Sequence, residues 1–285
     1  MKIIAKISTL ITGITIATGS SFAMEVTASS LNPLGRSGFI AKQDGVVIKT
    51  VGKFEERRAP FSTFKVPLAL MGFDAGILEN KDSPRLEFKE EYEKNLGDWY
   101  THEQGVAYGW CQAHTPATFI KYSAVWYSHQ ITQRLGAEKF KAYVSSLNYG
   151  NGDVAGTPGK DDGLLNSWLG TSLEISPREQ VEFLEKLLAN RLPFSKEAHE
   201  KTREVMDRGE IWDGWKLYGK TGGGHVNDGW FVGWIEKGGQ HIIFAQSLDL
   251  DDPDLDLTGV TRQSSVGLTA KELIKRELQS FWKQS

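Results

Sequence analysis

One cysteine, Cys111, is all that the 285 residues contain. An intramolecular disulfide is excluded, so the fold must stand on its apolar core, which a chain of this size supplies. Histidine is nearly as thin: six residues, scattered, with no pair at helical or alternating spacing. Zinc-dependent hydrolysis is therefore disfavoured, and no metal is expected at the site. No block of Lys or Arg stands out and the formal net charge is -3, which argues against nucleic acid as a partner. No apolar run reaches the ~20 residues that a membrane span needs. An aspartate-rich stretch from Asp249 to Asp256 lacks the turn glycine of a calcium loop, and Val260 stands where its bidentate Glu belongs. It reads as a solvated loop.

What is present begins at the N-terminus. Lys2 and Lys6 precede an apolar, Thr-rich run over 7–18, and Ser21-Phe22-Ala23 has small residues at both ends. That pattern reads as a secretory signal cut after Ala23, leaving residues 24–285 as one domain with no membrane association. A retained anchor is the rival reading.

Strand patterns cluster at the two chain ends. Residues 38–52 read as a hairpin turning at Asp44-Gly45, and 215–220, 229–236 and 241–248 as further strands. Between them, helical patterns fill most of 85–208, the best at 122–135, 137–147 and 177–188. Ser176-Pro177-Arg178-Glu179 is a strong helix start. An amphipathic helix closes the chain, with Leu268, Ile274, Leu278 and Phe281 on one side. The economical architecture is mixed α/β: an antiparallel sheet from both chain ends, flanked by helices, with a helical subdomain over roughly 80–210 inserted between the sheet segments.

The stretch 60–78 organises the rest. Its apolar residues fall on every face of a helical period, so it predicts a buried helix, ended at Gly76. Ser62 and Lys65 share one face of its first turn. A serine hydroxyl is a poor nucleophile without a base, and no His is placed to serve. Burial among Phe64, Val66 and their neighbours should depress the Lys65 pKa and favour a neutral amine.

Three further motifs follow in order: Ser123-Ala124-Val125, Tyr149-Gly150-Asn151 and Lys220-Thr221-Gly222, with Trp168-Leu169 between the last two. Each is common singly; Ser-x-x-Lys also recurs at Ser280 and Lys283. Together with residues 61–67, 168–184 and 217–224, the set resembles the class D β-lactamases, the oxacillinases, over most of the chain from Gly38 onward. The resemblance implies the serine β-lactamase and penicillin-binding transpeptidase fold, and hydrolysis of penicillin-like lactams conferring antibiotic resistance.

It also implies residue roles. Ser62 would form an acyl-enzyme, and Lys65 would add carbon dioxide to become a carbamate, N6-carboxylysine, the general base of both half-reactions. Bicarbonate would be required, and no bound cofactor. The Trp168 indole N–H would hold the carbamate, since indole is a donor only. Ser123 and Lys220 would shuttle a proton to the lactam nitrogen. The N–H groups of Ser62 and Gly223 would form the oxyanion hole, with Gly222 and Gly223 letting the backbone approach the ligand. Thr221 and Arg262 would bind the substrate carboxylate. Val125 and Leu169 would gate the modified lysine, and Tyr149 would border the pocket while its Tyr-Gly-Asn motif makes a turn. The family setting implies a periplasmic monomer or homodimer. Two alternatives share these motifs: a β-lactam-sensing receptor acylated without turnover, and a penicillin-binding D,D-peptidase.

Overall fold

A computed structural model describes residues 36–224 and 227–282, with side chains as far as Gln279. The proposed signal and its cleavage site lie outside the described residues. Strands β1 (Gly38–Gln43) and β2 (Val46–Gly52) form the hairpin at Asp44-Gly45. They join β3 (Asp207–Trp212), β4 (Trp215–Gly223), β5 (Asp228–Lys237) and β6 (Gln240–Asp249). All pairings are antiparallel, in the order β2-β1-β6-β5-β4-β3, so the N-terminal hairpin docks beside the last strand.

Both faces of the sheet are covered, and alternation along the central strands shows how. On β6, Ile242, Phe244 and Leu248 pack with Leu273, Ile274 and Leu278 of the closing helix α9 (Val266–Trp282). Ile243 and Ala245 point the other way, into the larger core that holds the remaining helices. These are α1 (Lys65–Asp74), α2 (His102–Ala107), α3 (Pro116–Tyr122), α4 (Val125–Leu135), α5 (Ala137–Leu147), α6 (Gly163–Asn166), α7 (Pro177–Leu188) and α8 (Lys196–Val205), all between β2 and β3. None of the described helices is long and apolar enough to cross a membrane.

Several local expectations need correction. The helix expected over 122–135 is two helices: Ser123 takes φ 62, ending α3 as its left-handed C-cap, and α4 restarts at Val125. Strand β3 lies mostly in the gap between the helical pattern, which ends at 208, and the strands expected from 215; it carries Gly209 at φ 81 and pairs irregularly with β4, which blurs any period of two. Leu268 is 40% exposed, so the buried stripe of α9 runs through Ala270, Leu273, Ile274 and Leu278 instead. The side chain of Phe281 lies outside the described residues. By contrast, α7 begins at Pro177 with the full capping box, the Ser176 hydroxyl accepting from Glu179 N and the Glu179 carboxylate from Ser176 N.

The aspartate-rich loop folds on itself. Asp249, Asp252 and Asp256 each accept the backbone N–H two residues on, and Asp252 also accepts from the N–H groups of Arg36 and Ser37. These carboxylates serve as turn formers at the end of β6.

Candidate active site

The turn that carries Ser62 is tighter than an α-helix. Phe61–Phe64 is a 3-10 turn that runs directly into α1 at Lys65. Phe61 sits at φ 47, unusual for an aromatic residue and a mark of strain next to Ser62. Packing holds it there. The Thr63 hydroxyl donates to Pro60 O at 2.7 Å, and Gln180 of α7 donates to Thr63 Oγ1 at 2.9 Å. Phe64 stacks on Trp168, with ring centroids 5.2 Å apart.

Within this frame Lys65 is fully buried, and its amine donates to Ser62 Oγ at 2.9 Å. Ser62 keeps partial exposure, so its hydroxyl can meet a ligand from outside. Burial alone drives the Lys65 pKa down, from 10.5 to about 7. The neutral amine is then well populated near neutral pH.

Around Trp168, which stacks on Phe64 and meets His129, lie buried polar atoms without hydrogen-bond partners among the described residues: Trp168 Nε1, the neighbouring Ser167 Oγ and His129 Nδ1. His129 stands edge-on to the Trp168 ring and points its Nε2 at Leu165 O, 3.1 Å away. Its pKa falls to about 3, through burial and then the charge of Lys65. An orphaned buried donor such as the indole N–H costs about 1–3 kcal/mol, so this corner is built for an acceptor.

A second Lys–Ser pair joins β4 to the corner between α3 and α4. Lys220, in the middle of β4, donates to Ser123 Oγ at 2.9 Å and to Thr221 O at 2.7 Å. Its pKa lies well below the usual lysine value, through burial, then the charges of Lys65 and Arg208. Ser123 reaches it from the strained αL corner between α3 and α4. Gly222 lets β4 pass close to the Ser62 turn: a Cβ there would lie 3.0 Å from Pro60 O and 3.1 Å from Thr63 Cγ2, so these neighbours would have to give by a few tenths of an ångström. Gly223, beyond it, faces open space.

The remaining expected residues divide. Thr221 is half-buried on β4, next to the start of α9, where Gly267 abuts it. Arg262 is exposed in the loop leading to α9, with no hydrogen bond or ion pair among the described residues. Val125 is buried at the first turn of α4, and Leu169 is half-buried against the same core. Tyr149 is 1% exposed and packs edge-on against Phe64 and Phe183, which makes it a floor under the nucleophile's helix and leaves it almost no surface for a ligand. Its neighbour Gly150 is required: at φ 57, a Cβ would collide with Glu174 O. Sequence reading missed Gln180, Thr63, His129 and Arg208. Only Gln180 carried a signal, as a polar residue on the inward face of α7.

Two Lys–Ser pairs, one in the Ser62 turn and one joining β4 to the α3–α4 corner, narrow the choice of relatives, and the comparisons decide it. Residues 17–274 match the family model described as penicillin binding protein transpeptidase domain. Beta-lactamase OXA-9 of Klebsiella pneumoniae is 39% identical over 226 residues, covering 75% of this chain and 78% of that one. The chain belongs to the class D β-lactamases. A solved structure of the class D β-lactamase OXA-427 covers 87% of this chain and 99% of its own, with a TM-score of 0.74 and 35% identity. The methicillin resistance mecR1 protein of Staphylococcus aureus is 32% identical over 202 residues; these span 70% of this chain and 31% of that protein.

Proposed function

We propose that this class D β-lactamase is an exported enzyme that opens the β-lactam ring of penicillin-like antibiotics and so confers resistance. One observation carries the reading: a fully buried lysine amine, with its pKa near 7, donates to the hydroxyl of Ser62. Ser62 Oγ attacks the lactam carbonyl carbon while its proton passes to the base at Lys65. The developing oxyanion is met by the N–H groups of Ser62 and Gly223, where one donor is typically worth ~2.7–4 kcal/mol. The ring C–N bond then breaks, and its nitrogen takes a proton through Ser123 and Lys220. Thr221 and Arg262 hold the substrate carboxylate. Water, activated at Lys65, hydrolyses the Ser62 ester and restores the hydroxyl.

The environment of Lys65 fits a carbamate. A neutral amine is the form that adds carbon dioxide, and the unpartnered indole N–H of Trp168 offers it a donor. When formed, the carbamate supplies an anionic base in place of an amine that protonates. Trp168, pinned by its stack on Phe64, orients it; Val125 and Leu169 limit water around it.

A burst experiment with a chromogenic cephalosporin tests the proposal. Turnover far beyond one equivalent is expected. A single equivalent trapped on Ser62 would make the chain a receptor, and release of D-alanine from a cell-wall peptide without lactam turnover would make it a D,D-peptidase.

A further inference from the structure

Away from the catalytic cleft, the fold assembles a second group of reactive side chains. Glu93, His102 and Cys111 each offer one ligand atom, and the three atoms lie within 4.8 Å of one another. They come from three segments: the 3-10 turn Glu90–Asn95, the first residue of α2, and the turn that follows α2. Spacings of nine residues between neighbours explain why no sequence pattern shows them. His102 Nδ1 is 2.7 Å from Glu93 Oε1. The Tyr100 hydroxyl bridges the other side, 3.0 Å from Glu93 Oε1 and 3.4 Å from Cys111 Sγ.

The scaffold under these side chains is fixed. Thr101 caps α2 by accepting from Gln104 N, and Trp110 N closes the following turn on Gly105 O at 2.7 Å. Tyr100 stacks parallel to Trp110 at 6.0 Å. Entry from solvent is open, because the His102 side chain is 55% exposed and that of Glu93 26%.

We propose that Glu93, His102 and Cys111 bind one divalent transition-metal ion of the zinc type, with Tyr100 oxygen or water in a fourth position. Thiolate, imidazole and carboxylate form a borderline donor set that suits zinc and cobalt and excludes magnesium and calcium, which take oxygen ligands. Tetrahedral bonds of ~2.0–2.3 Å place ligand atoms roughly 3.3–3.8 Å apart, so the contacts need adjust by only about 1 Å. On binding, the Cys111 thiol gives its proton to solvent, the Nδ1 proton of His102 moves to Nε2 (or, from the imidazolium, is released to solvent) to free the Nδ1 lone pair, and the His102–Glu93 hydrogen bond is replaced by two metal bonds.

The ion would be structural. Cys111 follows Trp110, whose indole donates to Tyr122 O at 2.7 Å and whose carbonyl accepts from Trp126 Nε1 at 2.8 Å. Tyr122 immediately precedes Ser123, so the ion would brace the corner that carries the second serine.

The test uses the full chain, freed of metal with a chelator and titrated with cobalt(II). Thiolate-to-cobalt charge-transfer absorption saturating at one equivalent, displaced by zinc, is expected. Zinc should also slow modification of the Cys111 thiol by a disulfide reagent at least ten-fold in the unaltered protein, and Cys111→Ser should lose the absorption. His102→Ala and Glu93→Gln should each weaken cobalt binding by about ten-fold or more. Absence of the absorption, unchanged thiol reactivity in zinc, or cobalt binding indifferent to His102→Ala would overturn the proposal.

Discussion

Two buried lysines face two serines in this molecule, and their surroundings differ. Lys65 is fully buried between Phe64 and Val66 in the chain, with Ser62 Oγ as its partner, and Phe64 stacks on Trp168, whose indole N–H has no partner among the described residues. Lys220 lies on a strand, held by a backbone carbonyl and Ser123 Oγ, and shares its corner with Arg208. Under the proposed mechanism the same side chain serves opposite tasks. An apolar setting with a spare donor suits an amine that becomes an anion; a setting of acceptors suits an amine that carries a proton. The two are also coupled. Lys65 as a cation helps depress Lys220, so converting Lys65 to an anion reverses that repulsion and favours the Lys220 ammonium.

The sharpest way to separate the pairs is to remove each amine. Lys65→Ala should slow both half-reactions, cutting turnover by ~10²–10⁴-fold, and deacylation more than acylation, so that an acyl-enzyme on Ser62 builds up and intact-mass spectrometry detects it. Lys220→Ala should slow acylation instead and accumulate no acyl-enzyme. Equal accumulation in both variants would erase the distinction.

Next in size is the pH response. With Lys65 titrating near 7, activity should fall as pH drops below 7, and added bicarbonate should restore part of it. The unfolded chain holds that proton up to about pH 10.5, so between roughly 7 and 10.5 it binds more protons than the folded one. In carbon-dioxide-free buffer, thermal or denaturant stability should therefore rise with pH across that window, and Lys65→Ala should reduce the rise, the remainder belonging to other depressed groups such as Lys220.

Smaller effects sharpen the geometry. Trp168→Phe keeps the ring on Phe64 and removes the N–H, so the bicarbonate concentration giving half-maximal activity should increase while the melting temperature changes little. Gly222→Ala puts a methyl 3.0 Å from Pro60 O and should lower kcat by shifting β4 from the Ser62 turn. Gln180→Leu, which removes the bond to Thr63 Oγ1, should cost about 1 kcal/mol in denaturant unfolding and leave KM nearly unchanged.

The parts of this fold visible in the sequence were those with strong local signals. The Ser176–Glu179 capping box fixed the start of α7, Asp44-Gly45 fixed the first hairpin, and the Lys-Thr-Gly strand was marked by its glycines. Ser62, Lys65, Ser123 and Lys220 were legible because four short motifs occur in order. What stayed hidden depends on the third dimension. Ser123 in αL looks like any residue in a helical pattern until α3 and α4 cross at it. Gln180, His129 and the Glu93–His102–Cys111 group acquire meaning only from neighbours that the fold supplies. Tyr149 shows the reverse: a motif residue that packing claims.

The central claim is that Lys65, and not Lys220, takes up carbon dioxide. It can be read directly by ¹³C NMR of the protein equilibrated with ¹³C-labelled bicarbonate. A single carbamate resonance is predicted, present in Lys220→Ala and absent in Lys65→Ala. No resonance in the unaltered protein, or one that survives Lys65→Ala, would contradict the account.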